Sequence, residues 1–249
     1  MSPRDSFLTV MGRKPVIEAL HDQSLRFDKI LLSSKAQGAE IDTITGMAAS
    51  RKVAVEKVSE QKVTAVARSS RHHQGVVADV VAPAMQRLDE FCEQRRRGKD
   101  WACTVLVLDH VHNPANVGMI LRSATAAGID GVVVPHRGTA DIGPVAIKAS
   151  AGVAFRAPIL RTETVDEAVA TLADHRFELV GVDMGGDDLF SADLPERAAF
   201  VIGNESDGLS PAAAAACRTT VSIALENGVE SLNAAVAASL VAYESRRRR

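Results

Sequence analysis

Three stretches of the sequence carry residue types that suit chemistry better than scaffolding, and each follows a short apolar run. The first is Asp109-His110-Val111-His112-Asn113-Pro114-Ala115-Asn116-Val117-Gly118-Met119-Ile120-Leu121-Arg122. Polar turn residues lead into a helix for which Asn116 is a suitable N-cap, and Arg122 stands one turn beyond Gly118. Helical side chains lean toward the N-terminus, so Arg122 is expected over the bare surface of Gly118, where a guanidinium can meet a phosphate or a ribose. Taken singly, the pair fits a packing glycine and a surface ion-pair partner equally well. The second stretch is Val201-Ile202-Gly203-Asn204-Glu205-Ser206-Asp207-Gly208-Leu209-Ser210. It reads as a strand end, a loop with two glycines, and a helix capped by Ser210 with Pro211 at its first position, which leaves several backbone N–H groups for a ligand. The loop is not GxGxxG and holds no lysine for phosphate, and with two acids it points to a cofactor without phosphates.

The third stretch is Ile223-Ala224-Leu225-Glu226-Asn227-Gly228-Val229-Glu230-Ser231-Leu232-Asn233, followed by an alanine-rich helix. Ser231 is placed to cap that helix, with Leu232, Val236, Ser239/Leu240 and Tyr243 as its apolar stripe. Ala234, Ala237, Ala238 and Val241 form a neighbouring face small enough for another backbone to approach closely. A cap and an ordinary core helix account for Ser231 and the alanines without any ligand.

Other chemistries find little support. His110 and His112 are two apart, wrong for one helix face, and no cysteine or acid cluster accompanies them, so they read as turn residues and no metal site is expected. The three cysteines, Cys92, Cys103 and Cys217, are widely spaced and in no CxxC pair, which fits reduced thiols rather than disulfides or zinc. His72-His73 beside Arg68 and Arg71 suits a basic RNA-facing edge or simple solvent exposure. No Ser/His/Asp or Cys/His arrangement stands out.

The elements that must position these stretches follow from composition and pattern. A chain of 249 residues suits two modest domains, and 46% hydrophobic with 24% charged residues suits globular ones. Aromatics are only 4%, so aliphatic and alanine side chains must fill the cores, and base-stacking platforms are disfavoured. The net charge of −2 hides an asymmetry: residues 1–100 hold 17 Lys/Arg against 13 Asp/Glu, net +4, and residues 101–249 hold 12 against 18, net −6. A polyanion would be gripped mainly by the first half, unless the imbalance is only solvated surface charge. No leader-like apolar region and no membrane-length run is present, so a cytoplasmic location is expected.

Residues 1–85 are expected to form a small α/β unit: helix Pro15–Asp22, strand Phe27–Ser33, helix Glu40–Arg51, strand Val53–Val58, helix Glu60–Ala67 and strand Gly75–Val81. The charged stretch 86–103, with Arg95-Arg96-Arg97-Gly98-Lys99-Asp100, is assigned as a linker that can be partly helical. From residue 104 to 249, valine-rich runs at Thr104–Leu108, Gly131–Val134, Ala157–Leu160, Glu178–Val182, Ala199–Ile202 and Thr220–Ala224 alternate with helical stretches. Runs apolar on successive residues suit a parallel sheet covered on both faces, with ligands at the carboxyl ends of its strands. Arg246 to Arg249 suit a frayed helix end or an RNA contact.

Together and in this order, the three stretches resemble the three motifs of the SpoU/TrmH branch of the SPOUT methyltransferases. Gly12-Arg13-Lys14-Pro15-Val16-Ile17-Glu18-Ala19-Leu20 and His73-Gln74-Gly75-Val76-Val77-Ala78 resemble the small N-terminal substrate-binding domain of its ribosomal-RNA members. The resemblance implies an α/β protein: a C-terminal parallel-sheet domain tied in a trefoil knot, after a small N-terminal α/β domain. It implies S-adenosylmethionine held by the backbones of Gly203, Ile223 and Leu232, with Arg122 as the catalytic arginine and Asn116, Glu205, Ser231 and Asn233 as the other polar motif positions. The third motif departs from the family's Ile-Pro-Met, reading Ile223-Ala224-Leu225, which makes the loop less rigid.

The implied reaction is in-line attack of a ribose 2′-oxygen on the methyl sulfonium, in a homodimer joined through the alanine-rich helices. Positioning must contribute most, since the hydroxyl is a poor nucleophile. A guanidinium is a poor base, so Arg122 either sits where its proton is loosened or orients an RNA phosphate and the ribose. Structured ribosomal RNA is the expected substrate, with transfer RNA as a close variant. A knotted RNA-binding or assembly factor without turnover is the alternative from another class. A nucleotide-dependent metabolic enzyme is disfavoured by the missing phosphate loop.

Overall fold

The computed structural model describes residues 7–67, 73–97 and 102–249. The chain divides into two compact units, Met1–Pro83 and Ala84–Arg249. Arg68, Arg71 and His72 of the expected basic edge, and Gly98-Lys99-Asp100 of the expected linker, lie outside the described residues.

In the first unit, β1 (Phe7–Met11), α1 (Arg13–His21), β2 (Phe27–Ser33), α2 (Ala39–Ser50), β3 (Ala54–Val58), α3 (Glu60–Ala67) and β4 (Val76–Val81) follow in turn. Their sheet has the order β1-β4-β2-β3. The valine-rich β4 pairs antiparallel with β1 and β2, and β2 pairs parallel with β3 across α2. Helix periodicity delivers Ile41, Ile44 and Ala48 of α2 and Val16 and Leu20 of α1 to the core. Each fully buried valine or leucine stabilises the unit by roughly 1.5–3 kcal/mol before chain entropy is counted. Strand β1 was not expected; it is a five-residue edge strand that buries only Leu8 and Val10, too little for a pattern to announce.

The second unit contains β5 (Gln86–Arg87), α4 (Leu88–Arg97), β6 (Cys103–Leu108), α5 (Pro114–Ala127), β7 (Gly131–Pro135), α6 (Pro144–Ala149), a short 3-10 turn at Val153–Phe155 and β8 (Ile159–Thr162). It continues with α7 (Val165–Asp174), β9 (Glu178–Asp188), β10 (Arg197–Ile202), α8 (Pro211–Ala216), β11 (Thr219–Ser222) and α9 (Ala234–Arg247). The seven strands are ordered β11-β9-β10-β6-β7-β8-β5, and every pairing is parallel. Strands β6, β7 and β10 are buried at every residue, as covered parallel strands should be.

Alternation along the strands splits the core in two. Cys103, Val105, Val107, Val133, Leu160, Ala199 and Val201 meet residues of α4, α7 and α8. The opposite face carries Leu106, Leu108, Phe200 and Ile202 toward the layer of α5 and α9. The stretch assigned as linker is therefore corrected: β5 pairs with β8, and Leu88, Phe91 and Cys92 of α4 enter that core. Asp89 is exposed and Glu90, Glu93 and Arg95 are half-buried, away from the buried Leu88, Phe91 and Cys92, and the polarity of the stretch hid that apolar side. Among the described residues, no helix is long and apolar enough to cross a membrane.

Two further expectations on α9 are corrected. Val236 and Tyr243 are 47% and 52% exposed, while Ala234, Ala235, Ala238, Val241 and Ala242 are buried. Small residues let α5 and α9 pack closely, so the alanine face wins the core over the bulkier stripe. The terminal arginines are neither frayed nor free. Arg246 and Arg249 donate to the carbonyls of Ala127 and Gly128 at 3.4 and 3.1 Å, and Arg249 also pairs with Asp130. Arg248 donates to the carbonyls of Leu189 and Ala192 and to Glu244, itself 5% exposed.

Candidate active site

The sheet changes direction between β6 and β10: the chain runs from β6 outward through β7 and β8, then returns on the other side as β9 and β10. Ligands of open parallel sheets bind at the carboxyl ends of strands beside such a switch. Register pairs Leu108 with Ile202 and Ile202 with Val182, so Asp109, Gly203 and Asp183 emerge side by side at that end.

Gly203 must be glycine. A Cβ there would lie 2.4 Å from the carbonyl carbon and oxygen of Gly208 and 2.8 Å from the nitrogen of Leu209, all backbone atoms. That contact belongs to a tight loop closed by reciprocal bonds between Asn204 and Gly208, 3.0 and 2.9 Å, with Ser206 N–H donating to the Asn204 side chain at 2.8 Å. Gly208, at φ +68°, supplies the left-handed turn.

This loop holds up Glu205, on which three chain segments converge. The buried Asn116 donates its Nδ2 to Glu205 Oε1, Asn233 Nδ2 lies 3.5 Å from the same oxygen, and the Ala234 N–H 3.4 Å from it. Asn233 Nδ2 also donates to Asn116 Oδ1 at 3.0 Å, while its Oδ1 accepts from Ala235 and Val236 at 2.9 and 3.3 Å. Asn233 is thus the N-cap of α9, and Ser231, expected in that role, is exposed outside the helix. The same shift occurs at α5. Pro114 fixes the first helical φ, so Asn113 caps α5 by accepting from Ala115 at 2.9 Å, and Asn116 is released to face Glu205. Asn116, Glu205 and Asn233 are brought together; Ser231 is not joined to them by any hydrogen bond.

Next to this hub lies a buried acid that sequence reasoning passed over. Asp109 is fully buried; its Oδ2 accepts from Ser210 N–H and its Oδ1 from His110 Nδ1, both at 2.6 Å. Ser210 then caps α8 by accepting from Ala213 at 3.4 Å. His110 adopts φ +55°, a left-handed conformation costing a non-glycine residue about 1–3 kcal/mol. Asn204 Nδ2 donates to the His110 carbonyl at 3.0 Å and approaches His112 Nδ1 at 3.4 Å. The available signal was an acid directly after a six-residue strand that is apolar but for Thr104, where a charge survives only if partnered.

Arg122 is exposed on α5 and has no hydrogen-bond or ion-pair partner among the described residues. The expected bare surface at Gly118 is corrected: Gly118 is buried, and a Cβ there would stand 2.2 Å from the Ala146 carbonyl oxygen, so it is a packing glycine that lets α6 press on α5.

Ile223 and Leu232 are half-buried. The loop between them has a Val229 N–H to Glu226 carbonyl bond at 3.2 Å, and among the described residues no such backbone-to-backbone bond joins the peptide groups of Ile223 or Leu232. Unpartnered backbone groups in partial burial suit a ligand bound through main-chain contacts, as does the strand end at Gly203. Burial pushes the Cys92 thiol up to about 12 and those of Cys103 and Cys217 to about 11, so none is a ready thiolate. Among the described residues, no group of three or more His, Cys, Asp or Glu is gathered as a metal site would require.

Comparison with known proteins converges on one family. Residues 103–243 match the model described as SpoU rRNA Methylase family. Residues 9–86 match that for RNA 2'-O ribose methyltransferase substrate binding. A Staphylococcus saprophyticus relative named for TrmH family tRNA/rRNA methyltransferases is 33% identical over 97% of this chain and 96% of its own. The SpoU methyltransferase AviRb of Streptomyces viridochromogenes, solved in complex with the cofactor AdoMet, has a TM-score of 0.66 at 26% identity, covering 98% of this chain and 91% of its own. An AdoMet-bound rRNA methyltransferase from Sinorhizobium meliloti shares the fold, with TM-score 0.65, 22% identity and coverage of 98% and 88%.

Proposed function

Because the chain belongs to the SpoU rRNA methylase family, RNA methyltransferases that use S-adenosylmethionine, we propose that it methylates a ribose 2′-hydroxyl of ribosomal RNA. The observation that carries this reading is the convergence of Asn116, Glu205 and Asn233, from three separate segments, beside a strand end where glycine alone fits. A substrate-binding unit matching residues 9–86 supports an RNA ribose as acceptor. The family description favours ribosomal over transfer RNA.

S-adenosylmethionine, when bound, supplies an electrophilic methyl group on sulfonium sulfur. The residues that would hold it are Gly203, Ile223 and Leu232, through their main chain. Glu205 anchors both asparagines and faces the N-terminus of α9, where its charge suits the helix dipole. Arg122, exposed and without a partner among the described residues, would take an RNA phosphate through its two-pronged guanidinium and so orient the ribose. Ser231, exposed beside this segment, is assigned to substrate contact rather than to capping.

The C-terminal segment is read as the trefoil knot, which the return of Asn233 to residues 116 and 205 supports. The protein is read as a cytoplasmic homodimer. Met119 of α5 and Val236 and Tyr243 of α9 leave apolar surface exposed on two mutually packed helices, and a second copy would cover it.

The test is transfer of tritiated methyl groups to purified ribosomal and transfer RNA. Labelled ribosomal RNA whose sites map to ribose 2′-oxygens is expected. Labelling of transfer RNA alone would overturn the substrate, and no labelling of either would favour a silent RNA-binding factor.

A further inference from the structure

We propose that Asp109 and His110 form a proton-accepting dyad for the acceptor ribose, with Nε2 of His110 as the atom that takes the hydroxyl proton; this rests on the methyl-transfer reading above. The fully buried Asp109 carboxylate has both oxygens engaged, Oδ2 by Ser210 N–H and Oδ1 by His110 Nδ1, each at 2.6 Å. A carboxylate only accepts, so Nδ1 carries the proton and Nε2 keeps its lone pair. The imidazole side chain is 44% exposed, open to a substrate, although its acid is sealed off.

Two further features show that the chain is built around this ring. His110 sits at φ +55°, where glycine is the relaxed choice. Opposite it, Gly138 (φ +81°) leaves the ring its room, since a Cβ there would lie 2.9 Å from both Nε2 and Cδ2. The His110 carbonyl accepts from Asn204, whose neighbour Glu205 anchors the polar hub, so residue 110 adjoins that hub.

The reaction leaves a vacancy for such a group. A ribose hydroxyl must lose its proton, and the Arg122 guanidinium has no lone pair to accept it. Glu205 Oε1 faces three N–H groups. His112, edge-on to His110 with ring centroids 5.9 Å apart, meets Asn204 rather than a carboxylate. Nε2 of His110 takes the proton as the ribose oxygen bonds to the methyl carbon and the carbon–sulfur bond breaks with its electron pair leaving on sulfur. The imidazolium so formed rests against the Asp109 charge, as in other acid–imidazole relays.

The discriminating variant is His110→Gly, which removes the ring and suits the backbone. Its melting temperature should stay within a few degrees of the parent's, because relief of the left-handed backbone offsets the donor lost to Asp109 Oδ1, and calorimetric affinity for S-adenosylmethionine should stay within threefold. Methyl transfer at pH 7.5 should fall about 100-fold, with partial recovery when free imidazole fills the space beside Gly138. Independently of turnover, nitrogen-15 spectra of the parent should show His110 protonated on Nδ1, and Asp109→Asn should disturb that tautomer. Parent-like turnover in His110→Gly, or an Nε2-protonated ring in the parent, overturns the dyad while leaving the methyl-transfer reading intact. A parent protein that labels no RNA overturns both.

Discussion

Replacing Glu205 by alanine is the most informative single perturbation of the hub. The change removes the acceptor shared by Asn116, Asn233 and the Ala234 N–H. Asn116 is 2% exposed, so water cannot replace the lost partner, and an unsatisfied buried amide costs about 1–3 kcal/mol. The contacts at 3.5 and 3.4 Å are at the long limit of hydrogen bonding and add only a few tenths each. Loss of an anion at the α9 N-terminus adds roughly 0.3–1 kcal/mol. The expected destabilisation is therefore about 2–4 kcal/mol, a fall in melting temperature of roughly 5–15 °C for a domain of this size. Glu205→Gln keeps an acceptor oxygen and loses only the charge, so it should cost about 1 kcal/mol. Scanning calorimetry of both variants, with Asn116→Ala and the Asn116/Glu205 double alanine variant, gives the coupling energy, expected to exceed ~1 kcal/mol. An alanine variant melting within a degree of the parent, or strictly additive single effects, would show that the three segments do not depend on Glu205.

Three other expectations follow from named contacts. Arg122→Lys should leave the melting temperature unchanged, since the side chain is exposed and has no partner among the described residues, yet lower methyl transfer at least tenfold through loss of the guanidinium fork; parent-like turnover would remove Arg122 from the mechanism. Gly118→Ala places a methyl 2.2 Å from the Ala146 carbonyl oxygen and 2.9 Å from Ala149 Cβ, so α5 and α6 must separate at a cost of about 2–3 kcal/mol, measurable by urea unfolding. The hydrogen bond from Arg247, reinforced by Arg248, holds the Glu244 carboxyl down at about 2 against an ordinary 4.5. A carboxyl whose folded-state value is depressed contributes stability above its ordinary value and loses it as pH falls toward 2. Discounted for the solvent around the 65%-exposed Arg247, that contribution is about 1–2 kcal/mol. Glu244→Gln should therefore unfold more easily than the parent at pH 7, with the gap closing near pH 2.

What could be read from the sequence was what is decided locally. Strand β2 and helix α3 have the expected bounds, because continuous apolar runs and helical spacing are local signals. Strand β1 and the core role of α4 escaped because a five-residue edge strand and a charge-rich helix each declare themselves only against their partners. The site divides along the same line, and its two helix starts show why. At α5, both Asn113 and Asn116 are chemically able to cap, and at α9 both Ser231 and Asn233 are. Local rules name the eligible residue types; they cannot say which residue a distant partner claims. Asn116 is claimed by Glu205, 89 positions away, and Asn233 by Asn116, 117 positions away. The cap of α5 therefore falls to Asn113, whereas Asn233 serves both duties because its amide has an oxygen for the helix and a nitrogen for the hub. A serine hydroxyl at 233 can cap but cannot span both partners at once, so asparagine at that position follows from the geometry of two helices meeting one carboxylate.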